Sequence, residues 1–163
     1  MKTTKQIAQE IRNTLKMEFP NCKFSVTCKY FSGGSEIKVN LMESNIQVFE
    51  SLENVKKLAE LGKIRGDQLK IENLIKHHEY CINHGNAQLN HYQLLSSWKI
   101  EQNEKICNGV MLTQEGWDLL KRIAQISLKD HYDRSDPQTD YFDCNYYFHL
   151  EVGKWDKPYI QGR

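Results

Sequence analysis

The stretch "KFSVTCKYFSGGSEIKVNL", Lys23 to Leu41, decides how this chain folds. Phe24, Val26, Cys28 and Tyr30 alternate with Lys23, Ser25, Thr27 and Lys29; Ile37, Val39 and Leu41 alternate with Glu36, Lys38 and Asn40. A period of two sends successive side chains to opposite faces, so both runs read as half-buried strands. Ser32, Gly33, Gly34 and Ser35 supply the backbone freedom of a tight turn. The segment predicts an antiparallel hairpin with one apolar and one wet face.

The same alternation returns far along the chain, in "DYFDCNYYFHLEVGKWDKPY", Asp140 to Tyr159, which holds seven aromatic residues. Cys144, Tyr146, Phe148, Leu150 and Val152 share one parity; Asn145, Tyr147, His149 and Glu151 share the other. A last strand is therefore expected to join the hairpin, giving a three-stranded or slightly larger antiparallel sheet. Tyr146 and Phe148 go to the core, and Trp155, following Gly153, is expected to fold over the sheet edge. The wet face then displays Lys23, Ser25, Thr27, Lys29, Glu36, Lys38, Asn40, Asn145, Tyr147, His149 and Glu151.

Helices fill the rest. Thr3-x-x-Gln6 is a capping box ahead of an apolar stripe of Ile7, Ala8, Ile11, Leu15 and Phe19, ended by Pro20 and Asn21. Ser44-x-x-Gln47 reads as a second box, before Leu52, Val55, Leu58 and Ala59, with Gly62 as the stop. Asp67 caps a helix carrying Leu74, Ile75, His78 and Ile82 that ends at Gly85. From Asn86 to Asn108 the pattern weakens, and "NHYQLLSSWKI" fits helix or strand. Thr113 caps a helix with Trp117, Leu120, Ile123, Ala124 and Leu128 on one side and an Asp118–Arg122 pair outside, ending near Lys129. These elements predict a single α+β domain over residues 1–163, with the first and last helices on one sheet face and residues 46–112 as a mainly helical insertion.

Composition narrows the class. The chain has 163 residues, 26% of them charged and 39% hydrophobic, which suits a globular domain able to fold without a disulfide or metal staple. A net charge of +1 provides no global field for nucleic acid or anionic lipid. No apolar run reaches the roughly 18 residues of a membrane span, and the N-terminal helix has no signal-peptide core, so a cytoplasmic protein is expected. Five cysteines, Cys22, Cys28, Cys81, Cys107 and Cys144, form an odd set without CxxC spacing and read as reduced thiols.

Chemistry-bearing patterns are sparse. His77, Cys81 and His84 share a helix face at i, i+4 and i+7, yet a structural zinc site needs four ligands, and only the scattered His91 or Cys107 could complete one. Asp130, Asp133, Asp136, Asp140 and Asp143 crowd a polar loop that lacks the residue order of a calcium loop. Motifs for phosphate loops, dinucleotides, zinc peptidases and serine hydrolases are missing, so no cofactor and no bound metal are expected.

Two segments nevertheless have a familiar look. "IRNTLKMEFPNCKFSVTCKYFSGGSEIKVNL" and "YDRSDPQTDYFDCNYYFHLEVGKWDKP" resemble the opening and closing segments of the large polyvalent protein-associated domain family, type twenty-nine. The shared pieces are an F-P turn, a K-F-S-V strand, an S-G-G hairpin, T-D-Y-F-D and G-K-W-D-K-P, while residues 46–112 find no counterpart. The resemblance implies a module of phages, plasmids and conjugative elements without an agreed enzymatic activity, and it transfers no catalytic residue.

The expected function is a non-enzymatic interaction module of mobile-element conflict. It would bind nucleic acid or a protein partner through Lys29, Ser32, Gly33, Gly34, Lys38, Tyr147 and His149, together with Lys154 and Trp155, because exposed aromatics beside lysines can stack bases and neutralise phosphates. A rival reading is a small hydrolase or nucleic-acid-modifying enzyme using Asp133, Asp136, Asp140 and Asp143 with His131 or His149. A third is a homodimer formed through the exposed edge of the last strand.

Overall fold

The computed structural model describes residues 1–102 and 104–162. Helix α1 (Thr4–Glu18) starts from the predicted capping box, with the Thr3 hydroxyl accepting from the Gln6 amide and the Gln6 side chain accepting from the Thr3 amide. The hairpin follows as β1 (Lys23–Phe31) and β2 (Gly34–Ser44). Its turn is tighter than expected: Phe31 pairs with Gly34, so only Ser32 and Gly33 form the loop. Gly33 takes a φ of +93°, a conformation that disfavours any side chain.

Next come α2 (Leu52–Glu60) and α3 (Gln68–His84), then β3 (Ala87–Leu89), the short helices α4 (His91–Leu94) and α5 (Ser97–Glu101), and a small hairpin of β4 (Ile106–Cys107) and β5 (Val110–Met111). Helix α6 (Gln114–Ser127), β6 (Tyr147–Val152) and β7 (Ile160–Gln161) complete the order. The start of α2 corrects the sequence reading. Ser51 caps it, whereas Ser44 ends β2 as a buried hydroxyl at 2.6 Å from the Tyr159 hydroxyl. "NHYQLLSSWKI" resolves into two short helices, capped by Asn90 and Ser96.

The sheet runs β1-β2-β6-β3, with β7 continuing alongside β2 beyond β6. It is mixed, not purely antiparallel: β6 pairs with β2 in parallel register, Ile37 beside Phe148 and Val39 beside Leu150. Alternation reports which face a side chain takes, not which way the strand runs. Direction is set by the loop after α6, which carries the chain back to the hairpin end. There the Asn145 carbonyl accepts from the Ser35 hydroxyl, and the Asn145 side chain spans the loop between the Tyr132 amide and the Asp130 carbonyl. Strand β3 pairs with β6 only along Leu150–Val152, so among the described residues the edge invoked for a homodimer is covered over that half of the strand and not along Tyr147–His149.

The inner face carries Val26, Ile37, Val39, Leu41, Phe148, Leu150 and Val152, sealed by Ile7, Ala8, Ile11 and Leu15 of α1 and Leu120, Ile123 and Ala124 of α6. Helix α1 lies over β1 and β2, and α6 lies against α1, as the sequence predicts. Their outer seam is tied by Arg122 to Glu18 at 2.9 Å, so Arg122 does not take Asp118 as its partner. Tyr146, fully buried, donates its hydroxyl to the Ser127 carbonyl at 2.6 Å, and burial pushes its phenol pKa upward. A smaller cluster of Val55, Ile64 and Met111 ties α2 and α3 to β5.

Candidate functional site

The outer sheet face is built by the residues of opposite parity, in rows fixed by the register. Lys29, Glu36 and Tyr147 form one row, Thr27, Lys38 and His149 the next, and Ser25, Asn40, Glu151 and Gln88 a third. Tyr147 is 45% exposed and the His149 side chain 51%, so the aromatic half of the face is open. Phe31 stacks on Tyr147 with ring centroids 6.0 Å apart. Gly34 makes room for this pair, since a Cβ there would stand 3.3 to 3.4 Å from both rings.

Toward the other end the face closes. Asn40, expected to be wet, is buried. Its amide nitrogen donates at 2.9 Å both to Glu151 and to the Gly153 carbonyl, while its side-chain oxygen finds no protein partner. Beyond β6 a turn links Lys154 and Lys157 by two backbone hydrogen bonds and holds Trp155 at 89% exposure, so the expected fold of Trp155 over the sheet edge does not occur. Because β2 and β6 run in parallel, Lys154 and Trp155 follow the end of the sheet remote from Ser32 and Gly33. The structure thus unites Lys29, Gly34, Lys38, Tyr147 and His149 but separates Lys154 and Trp155 from them.

Sequence reasoning missed a concavity of about 520 Å³ beside this face. It lies where the short β3 leaves β6, and Glu36, Lys38, His91, Tyr92, His149 and Glu151 are among its walls. His91 packs edge-on against Phe148, with centroids 5.2 Å apart, and burial, helped by His131 and His149, lowers its pKa and keeps it neutral. Only the ambiguity of "NHYQLL" hinted at this corner.

The aspartate loop is a self-bonded turn. Asp133 accepts from the Ser135 amide and Asp136 from the Gln138 amide, and the Ser135 contacts hold the Asp133 carboxyl below its ordinary pKa. Pro137–Thr139 form one 3-10 turn, and Asp140 closes it at a φ of +54°. None of Asp133, Asp136, Asp140 and Asp143 lines the concavity that His149 enters. His131 lies beside this loop, 3.5 Å from the sulfur of Cys144, which bridges to Asp133, and outside the walls of the concavity. Burial raises the thiol pKa of Cys144, as it does for Cys22, Cys81 and Cys107. Cys81 is buried 3.5 Å from His77, whereas His84 turns to its own helix and stacks on Tyr80. Among the described residues no group of three His, Cys, Asp or Glu side chains is placed to hold a metal ion, and no helix is long and apolar enough to cross a membrane.

Fold and surface together describe an α+β protein with a partly open sheet face and a polar-aromatic hollow beside it. The family model described as Large polyvalent protein associated domain 29 matches residues 2–96, more than half of the chain, and the chain belongs to that family. The match runs from α1 through α4, so it takes in residues 46–96, which the sequence reading could not align, and it stops before the closing segment that also resembled the family. No curated protein and no solved structure matches the chain.

Proposed function

We propose that this chain is a non-enzymatic interaction module of mobile genetic elements, acting as one α+β domain in the cytoplasm and docking a protein partner on its outer sheet face. Membership of a family associated with large polyvalent proteins supports the setting, and five unpaired thiols suit a reducing compartment. One observation favours protein over nucleic acid: the lysines of the face stand opposite glutamates. Lys23 pairs with Glu43 at 3.1 Å, Lys38 approaches Glu151 at 3.8 Å, and Lys29 faces Glu36 in register. Phosphate binding draws its affinity from cations free to replace counterions, and these are already compensated. The stacked Phe31 and Tyr147 remain, as aromatic anchors of the kind that dominate protein interfaces.

A photo-crosslinking side chain at position 147, compared with one at Gln9 on the exposed side of α1, tests this in cells carrying the element. Protein adducts are expected at 147 alone, and they should vanish when Lys38 is replaced by alanine. Saturable binding of a single-stranded or duplex oligonucleotide that weakens with salt and is lost in Tyr147→Ala would replace the protein reading with the nucleic-acid one.

A further inference from the structure

We infer that the turn after β6 binds single-stranded nucleic acid, with Trp155 stacking on a base and Lys154 and Lys157 taking the flanking phosphates; this site is separate from the docking face proposed above. The three tryptophans set the contrast. Trp117 is buried in the core, and Trp98 is half exposed with the Arg65 guanidinium 5.3 Å from its ring centre. Trp155 stands bare at 89% exposure. Yet the backbone that carries it is firmly held. Lys154 and Lys157 exchange two backbone hydrogen bonds, at 2.8 and 3.2 Å, which leaves Trp155 and Asp156 at the tip. Before the tip, the Gly153 amide donates to the Leu41 carbonyl, and the Gly153 carbonyl accepts from Asn40. After it, the Tyr159 amide donates to the carbonyl of Gly85, which ends α3, and the Tyr159 hydroxyl lies 2.6 Å from Ser44. Both stems of the turn are thus pinned, and the entropy of fixing the indole's backbone is spent on folding and not on binding.

Charge selects the ligand. Among the described residues neither Lys154 nor Lys157 has an ion-pair partner, unlike Lys23 and Lys38 of the sheet face. Asp156 pairs with neither, so the turn carries two cations to one anion. Free lysines can displace counterions from a phosphate chain. Lysine is depleted at protein interfaces, and one indole ringed by charged residues buries too little apolar area to anchor in lipid. An open aromatic face beside unpaired cations is the combination that sequence-tolerant single-strand binding uses. A duplex keeps its bases stacked inside and would have to be opened first, so the single strand is the form that fits.

The test is a titration of the isotopically labelled full chain with hexathymidylate, followed by amide and indole chemical shifts. Expected are saturable shifts of the Trp155 indole and of the amides from Gly153 to Lys157, with a dissociation constant on the order of 1 mM at about 20 mM salt. Two phosphate contacts predict that log K falls with log salt at a slope of about −1.4, and Lys157→Ala should bring it to about −0.7. Trp155→Ala removes an exposed side chain from a turn closed by backbone bonds, and should weaken binding about tenfold or more with an otherwise unchanged spectrum. Tyr147→Ala should leave binding as it was. Equal binding of a duplex of the same length, full binding by Trp155→Ala, loss of binding in Tyr147→Ala, shifts caused by phosphatidylserine vesicles and not by the oligonucleotide, or no shift at about 5 mM oligonucleotide would each overturn the inference. Crosslinking to protein from position 147 reports on the docking face alone and should persist in Trp155→Ala, so either site can fail without the other.

Discussion

His78 is fully buried and works as a neutral imidazole: Nε2–H donates to the Glu50 carbonyl at 2.7 Å, and Nδ1 accepts from the Met111 amide at 3.1 Å. Protonating Nδ1 would set two donors against each other, and burial, with His77 adding a smaller push, lowers the pKa from 6.5. The unfolded chain then binds the proton more readily than the native one. This contribution is therefore complete above about pH 6.5 and is lost as pH falls toward the lowered native value. A urea midpoint that drops between pH 7.5 and 5 is expected, and the drop should shrink in His78→Leu. That variant should lose about 1–3 kcal/mol at neutral pH by stranding the Met111 amide. Glycines offer a sharper contrast. Gly153 holds a φ of +66°, and a Cβ there would stand on the Gly85 carbonyl oxygen, which also accepts from the Tyr159 amide. Gly153→Ala should cost about 3 kcal/mol or more, against about 1 kcal/mol for Gly33→Ala, whose Cβ meets nothing; thermal melts would show the difference. The helical stripe already set His78 on the buried side and the turn already marked Gly33; what the sequence did not show were the partners of His78 and the Gly85 carbonyl packed against Gly153, which lie far along the chain. Asn40 shows the same limit: its parity was legible, and the turn that buries it was not.

At the level of elements, the helices with a strong cap and stripe were readable: Thr3, Asp67 and Thr113 cap α1, α3 and α6, and Gly85 ends α3 in the left-handed conformation. The Ser44 box failed because a Ser-x-x-Gln spacing is equally compatible with a strand end, and the hydroxyl is engaged by Tyr159. Strand β1 shows how an edge is kept from unwanted pairing. Arg12, reaching from α1, donates both Nε and Nη2 to the Val26 carbonyl, at 3.1 and 2.8 Å. A capped edge resists sheet-to-sheet association. Arg12→Ala should make scattering mass rise with concentration while the melting temperature changes little. On the outer face, Tyr147→Ala and Lys38→Ala should each cost under about 1 kcal/mol, because exposed pairs contribute little to stability, and Lys38→Ala should also abolish the adducts formed from position 147. A large drop in melting temperature for either would make the face structural.

Across the whole molecule, the two alternating segments recognised at the outset do meet in one sheet, and the first and last helices, α1 and α6, do share one core with its inner face. What alternation left open was strand direction, and through it the distance between the hairpin loop and Trp155. The parallel pairing of β2 and β6 also sets the timing of assembly. Asn40 and Glu151, neighbours in the finished sheet, are 111 residues apart along the chain. At about 5–20 residues per second, synthesis leaves the hairpin waiting roughly 5–20 s for the strand that will flank it. During that interval β2 offers the ribosome's surroundings an apolar flank with unspent backbone hydrogen bonds. Nascent chains of this protein should therefore recruit holding chaperones, and should be released from them only once β6 has emerged.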